Sequence, residues 1–196
     1  MGQIDLIKVL DILARENKKK VFSIRDISSL LDLSRPAAAM LLIRAQKNGI
    51  VFRVKNIWVN LLNPPDLLEV ALVLVSPSYL SLESALFYHQ CLSQSPKGRL
   101  SLITQGRPYK ITCPLGNIQY FHLKKKLFFG FDTQRIAHPE KALLDLVYLR
   151  GLKGRKNIIS EEIYFDTLNK KKFIRLAKFF PTWVSDYLLK LGVAPD

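Results

Sequence analysis

Apolar residues recur at helical spacing almost from the first position of the chain. In "IDLIKVLDILARE", residues 4–16, Ile4, Leu6, Ile7, Val9, Leu10 and Leu13 make a stripe that predicts an amphipathic helix. The "NKKK" that follows closes it with positive charge, where the helix dipole favours cations. Ser23 has the chemistry of an N-cap, with Asp26 placed as in a capping box. Ile24, Ile27, Leu30 and Leu31 then predict the buried stripe of a second, short helix. Asp32-Leu33-Ser34 reads as a tight turn, and Ser34 caps a third helix from Arg35 to about Asn48. That helix has Pro36 in its first turn and Gly49 just past its end. Apolar Val51, Val54, Ile57 and Val59 surround a Lys55-Asn56 turn and predict a hairpin. Three helices with a tight turn between the second and third, followed by a hairpin, predict a winged helix-turn-helix over residues 1–62.

The paired prolines of "NPPD", residues 63–66, break both helix and sheet, so a second domain is expected over 66–196. Its first segment, "DLLEVALVLV", reads as helical, and in "SPSYLSLESALFYHQCL" Ser81 reads as the N-cap of a helix that holds Leu82, Ala85, Leu86 and Tyr88. Between 100 and 131 the pattern changes to that of strands: "LSLITQG", "YKITC", "IQYFHL" and "LFFGF", divided by Gly-Pro turns and by Lys124, Lys125 and Lys126. "IAHPEKALLDLVYLRG" restores helical spacing, and two amphipathic segments divided at Pro181 complete the chain. The fold class expected is α+β: an N-terminal winged helix-turn-helix, then a mixed domain with a small antiparallel sheet and flanking helices. Tyr79, Phe87, Tyr88, Tyr120, Phe121, Phe128, Phe129 and Phe131 read as the core of that domain, or alternatively as a platform on which RNA bases stack.

Composition narrows the function classes. Of 196 residues, 48% are hydrophobic, enough for a sizeable core, yet no apolar run approaches the roughly 18 residues that span a bilayer. The N-terminus has no small-residue cleavage site, and Leu6 stands where a myristoylation motif wants Ser or Thr. A cytoplasmic protein with no membrane contact is expected. Cys91 and Cys113 lack CxxC spacing and read as reduced thiols, so neither metal nor cofactor is expected. No phosphate-cradling glycine loop, GxSxG or HExxH occurs. His138, Glu140, Lys141 and Asp145 share one helix, but His138-Pro139-Glu140 is accounted for as a helix start with its acid toward the dipole. No catalytic residue is assigned, and an enzyme is not expected.

Charge points elsewhere. Thirty Lys and Arg against sixteen acids give a net +14, the balance of a protein that meets a polyanion, with simple solubility as the other reading. Residues 1–60 hold eleven of the basic and five of the acidic side chains, so both parts of the chain are basic. The candidate DNA contacts are Arg25, Ser34, Arg35, Pro36, Ala39, Met40, Arg44, Lys47, Arg53, Lys55 and Asn56. Arg35 is the candidate base reader, and Arg44 and Lys47 are placed for phosphates. Of the exposed positions of the third helix, Pro36, Ala37, Ala39, Met40, Ile43 and Arg44, all but Arg44 are apolar, which is unusual for a DNA reader. Such a face either enters the major groove against thymine methyls or packs on another protein surface. Arg53, Lys55 and Asn56 suit minor-groove or phosphate contact, or form a solvated hairpin tip. The basic loops at Lys124, Lys125, Lys126, Lys153, Arg155 and Lys156 are solvated or touch nucleic acid.

Four stretches together resemble the AbiEi-type antitoxins and transcriptional regulators of abortive-infection (type IV) toxin–antitoxin systems. They are the N-terminal segment, "YLSLESALFYH" at 79–89, "ITQGRPYKI" at 103–111 and "IAHPEKALLDLVYL" at 136–149, and the likeness extends over roughly residues 1–190. The resemblance implies a repressor that binds double-stranded DNA at its own promoter, usually at inverted repeats. It also implies a C-terminal domain that counteracts a co-encoded nucleotidyltransferase-like toxin without forming a tight complex. The competing expectation is a protein- or RNA-binding interaction module whose winged helix reads no specific operator.

Overall fold

The computed structural model describes residues 3–16, 18–94, 96, 98–152, 154, 159 and 163–193. The chain divides into two units, Met1–Leu74 and Val75–Asp196. Both mix helices with a small sheet, so the fold is α+β. Among the described residues no helix is long and apolar enough to cross a membrane.

The first unit runs α1 (Gln3–Arg15), β1 (Val21–Phe22), α2 (Ile24–Leu30), α3 (Arg35–Lys47), β2 (Val51–Val54), β3 (Ile57–Asn60) and α4 (Leu67–Leu74). Leu6, Leu10 and Leu13 of α1 meet Ile27 and Leu31 from around α2, and Ala38, Leu42 and Ala45 of α3, in one buried cluster that includes Trp58. Burying each leucine contributes about 1.5–3 kcal/mol, so this cluster holds the three helices together. Leu30 does not join the stripe expected of it and is 48% exposed. At about 100° per residue it stands beyond the edge of the stripe, about 60° past Ile27 and about 100° or more from Leu31 and Ile24. Ile7 is likewise exposed on α1. Asp26 accepts from the Ser23 backbone N–H (2.7 Å) and hydroxyl (2.9 Å), which fixes the start of α2.

The sheet of this unit has the order β1-β3-β2 and is antiparallel throughout, with Val21 opposite Val59 and Arg53 opposite Trp58. β1 carries too few residues to show a period, and it was not expected from the sequence. Asn60 ends β3 inside the core: its Nδ2 donates to the Leu10 carbonyl, and its Oδ1 accepts from the Leu62 N–H. Pro64 and Pro65 lie between β3 and α4, and α4 sits beside β1 with Val70 and Ala71 fully buried.

The second unit contains β4 (Ser78–Leu80), α5 (Leu82–Tyr88), β5 (Arg99–Thr104), β6 (Tyr109–Cys113), β7 (Gly116–His122), α6 (Pro139–Gly151), α7 (Lys170–Ala177) and α8 (Thr182–Lys190). Its sheet has the order β4-β5-β7-β6 and is mixed, because β5 and β7 run parallel. This corrects the antiparallel sheet expected from the sequence. The reason is burial: Ile118 and Tyr120 of β7 are buried and take a central place, whereas alternate residues of β6 are exposed and keep it at the edge. The opposite side of the sheet is covered, since Leu80 pairs with Ile136 and exchanges bonds with the Arg135 carbonyl and Ala137 N–H.

Two further expectations are corrected. "LFFGF", residues 127–131, is not a strand; Leu127 closes a 3-10 turn (Lys125–Leu127), and Phe131 makes one bridge to Ala137. Phe128 and Phe131 pack instead on the Tyr79 ring, at 5.0 and 4.6 Å between centroids. Phe87 and Tyr88 are exposed rather than core. α6 is the hub of the unit: residues 140–148 are all buried, and it packs against α5, α7 and α8.

Candidate nucleic-acid interface

α3 is framed by its caps. The Ser34 hydroxyl accepts from the Ala37 N–H at 3.4 Å, Pro36 occupies the first turn, and Gly49 (φ +69°) follows the last. Its buried side is Ala38, Leu42 and Ala45, and its thirteen residues, "RPAAAMLLIRAQK", contain no acid. Arg35, Arg44 and Lys47 are exposed, as are Ser34, Pro36 and Met40, while Ala39 is half-buried.

The candidate residues fall around two open concavities that flank α3. In the first, of about 650 Å³, Arg25 from α2, Arg35, Pro36 and Ala39 from α3, and Asn56 from the hairpin share one lining. In the second, of about 550 Å³, Ile43, Gln46 and Lys47 of α3 face Arg53, Lys55 and Trp58. Ser34, Met40 and Arg44 line neither. The hairpin tip is held in place: Arg53 Nε donates to the Lys55 carbonyl at 2.8 Å, and the guanidinium lies 5.7 Å from the Trp58 ring. Lys55 itself turns the chain with a left-handed backbone (φ +54°). Gln46 and Trp58 are not among the residues expected from the sequence. An amide one residue before Lys47 was a usable signal for Gln46, but Trp58 is a buried core residue whose place behind this lining follows only from the Arg53 guanidinium lying over its ring.

The acid closest in sequence to this surface is already engaged. Asp26 is bridged by Lys19 at 2.6 Å. Burial pushes its carboxyl up, but the bonds from Lys19 and Ser23 outweigh that and hold it below the ordinary value. Side chains of Arg25, Arg35, Arg44 and Lys47 enter no ion pair among the described residues.

The second unit holds a different cluster. Lys141 and Asp145 form a fully buried ion pair on successive turns of α6. Asp145 also accepts from the Tyr79 and Ser81 hydroxyls, both at 2.9 Å, and Lys141 donates to the Tyr79 oxygen at 2.9 Å. The rings of Tyr79, Phe129 and Phe180 surround the ammonium at 5.2–5.3 Å. Burial disfavours the charge on each partner, raising the Asp145 pKa and lowering that of Lys141, and the pairing opposes both shifts. Gly130 is part of this arrangement, because at φ +78° a Cβ there would come within 3.0 Å of the Lys141 stem. The cluster is sealed from solvent and satisfies its own polar atoms, which is the chemistry of a core clasp. Glu140, read as a dipole partner, is buried and accepts from the Asn169 N–H at 2.8 Å, tying α6 to the start of α7.

Lys124, Lys125 and Lys126 are exposed around the 3-10 turn, whereas Lys153, Arg155 and Lys156 lie outside the described residues. Cys91 is buried and Cys113 half-buried, both free, and among the described residues no group of His, Cys, Asp or Glu could hold a metal ion.

No family model and no curated protein sequence matches the chain. Among solved structures it is similar to the RV2827C protein from Mycobacterium tuberculosis, with a TM-score of 0.60 at 16% identity, over 95% of this chain and 76% of that one. What the two share is the fold.

Proposed function

We propose that this chain is a DNA-binding transcriptional autoregulator and the antitoxin of a toxin–antitoxin module. In this reading residues 1–62 are a winged helix-turn-helix, with α3 as the recognition helix and the β2–β3 hairpin as the wing. The observation that carries it is an acid-free helix flanked on both sides by cations from neighbouring elements: Arg25 beside Arg35, and Arg53 and Lys55 beside Lys47. Arginine and lysine so placed neutralise phosphates on either side of a groove, and the net +14 of the chain adds long-range attraction. The antitoxin role is supported by the resemblance of "SLESALFYH" and "PEKALLDL" to the AbiEi-type antitoxins.

The test is binding of the full chain to the DNA upstream of its own gene. We expect selectivity over scrambled duplex and an affinity that falls steeply with salt, as counterions are released. Equal affinity for scrambled DNA would instead favour a protein- or RNA-binding module, a second reading that the exposed Met40 and Ile43 support. For the antitoxin role, the neighbouring gene should encode a nucleotidyltransferase-like toxin whose growth arrest is relieved by co-expression of this chain.

A further inference from the structure

From the make-up of its outward face, we infer that α3 recognises thymine, through contact of Met40 and Ile43 with major-groove methyl groups. The inference rests on the DNA-binding reading above and adds which base is read. At about 100° per residue, the positions opposite the buried Ala38, Leu42 and Ala45 are Pro36, Met40, Ile43 and Lys47. Met40 is 52% exposed and Ile43 42%. Pro36 and Ile43 carry no side-chain hydrogen-bonding group, and the Met40 thioether is only a weak acceptor. Any base edge set against this stretch, the thymine O4 included, would give up water without a replacement bond, a cost that only an apolar contact can offset. The thymine C5 methyl is the apolar group on the major-groove floor, and an apolar side chain is its partner.

An exposed apolar face has other conceivable occupants, and its borders decide among them. Pro36 and Ala39 share their concavity with Arg25, Arg35 and Asn56; Ile43 shares its own with Lys47, Arg53 and Lys55. Neither lining contains an acid. Phosphates on both sides of an apolar strip of methyl groups complement that pattern of charge. Arg35 and Gln46, nearer the two ends of the helix, are left for hydrogen bonds to the flanking bases.

The full chain is selected against a randomised duplex library made with thymine, and the enriched duplex is remade with uracil, which removes only the methyl. Enriched sites should hold thymine where α3 lies, and uracil should weaken binding roughly four-fold for each buried methyl it removes. Because Met40 and Ile43 are exposed, their double replacement by alanine leaves the fold intact, as a melting curve would confirm. That variant should bind the thymine and uracil duplexes equally. Equal affinity of the unaltered chain for the two duplexes overturns the inference while leaving operator binding in place. A library that enriches no sequence overturns operator binding itself, and thymine reading with it.

Discussion

Arg35 and Lys47 stand at opposite ends of α3 and have different things to offer a duplex. Arg35 is in the first turn and, on the proposed DNA-binding reading, would turn its planar fork to a base edge; Lys47 is in the last, a point charge beside the hairpin. Arg35→Ala should cost about 1–3 kcal/mol of operator affinity and relax preference at one base position. Lys47→Ala should weaken all duplexes alike and lower the salt slope by about 1. Anisotropy titrations over a salt series, on operator and scrambled DNA, separate the two. Unchanged sequence preference in Arg35→Ala would move base reading away from this residue. Asp26 provides a test of stability at the same scale. Its folded-state pKa lies below the unfolded value, so the carboxylate stabilises the unit above that unfolded value, near 3.8, and the contribution disappears as pH falls through the folded pKa. Asp26→Asn should therefore lose stability at neutral pH and flatten the acid-unfolding curve in that window, read by circular dichroism.

The elements hold together by unequal means, and α6 is the extreme case. Removing one partner of a buried ion pair leaves the other charge unmatched, so Lys141→Met or Asp145→Leu alone should cost about 3–5 kcal/mol in chemical denaturation. The double replacement should recover much of that, because two apolar side chains leave no orphaned charge. Additive losses would mean that Tyr79 and Ser81 carry the clasp without the pair. This element also marks how far sequence reasoning reached. Helical stripes were legible wherever one face is buried, as in α1 and α3, and cap residues such as Ser23 and Ser34 fixed where α2 and α3 start. α6 was legible as a helix carrying His138, Glu140, Lys141 and Asp145, but the pairing and full burial of Lys141 and Asp145 follow only from the tertiary packing. The parallel β5–β7 pair and the non-strand run 127–131 depend on which segments compete for the sheet centre, and local alternation says nothing about that. Phe128 and Phe131, three residues apart, would face opposite sides of a strand, yet both pack on the Tyr79 ring.

The whole molecule is two units, each with a core of its own, and the first is the size of a small domain. A fragment of residues 1–74 should unfold cooperatively and keep the DNA sequence preference of the full chain. A broad, non-cooperative melt would show that its core depends on the rest of the polypeptide. Most candidate residues were nameable from the sequence because each is a cation, a cap or a turn residue in a recognisable element; Ala39 and Met40 were named from their positions on α3, and Gln46 and Trp58 were not named. That Arg25 and Asn56 meet at one concavity with Arg35 was not legible there, since three separate elements bring them together. The sheet of the second unit has a consequence of another kind. A fibril built by stacking sheets edge to edge requires two free strands on every copy. Here β4 is already hydrogen-bonded to the 135–137 segment, and β6 is a five-residue strand bracketed by Pro108 and Pro114 with Lys110 facing solvent. Growth by that route through this sheet ends at a pair of copies joined through β6.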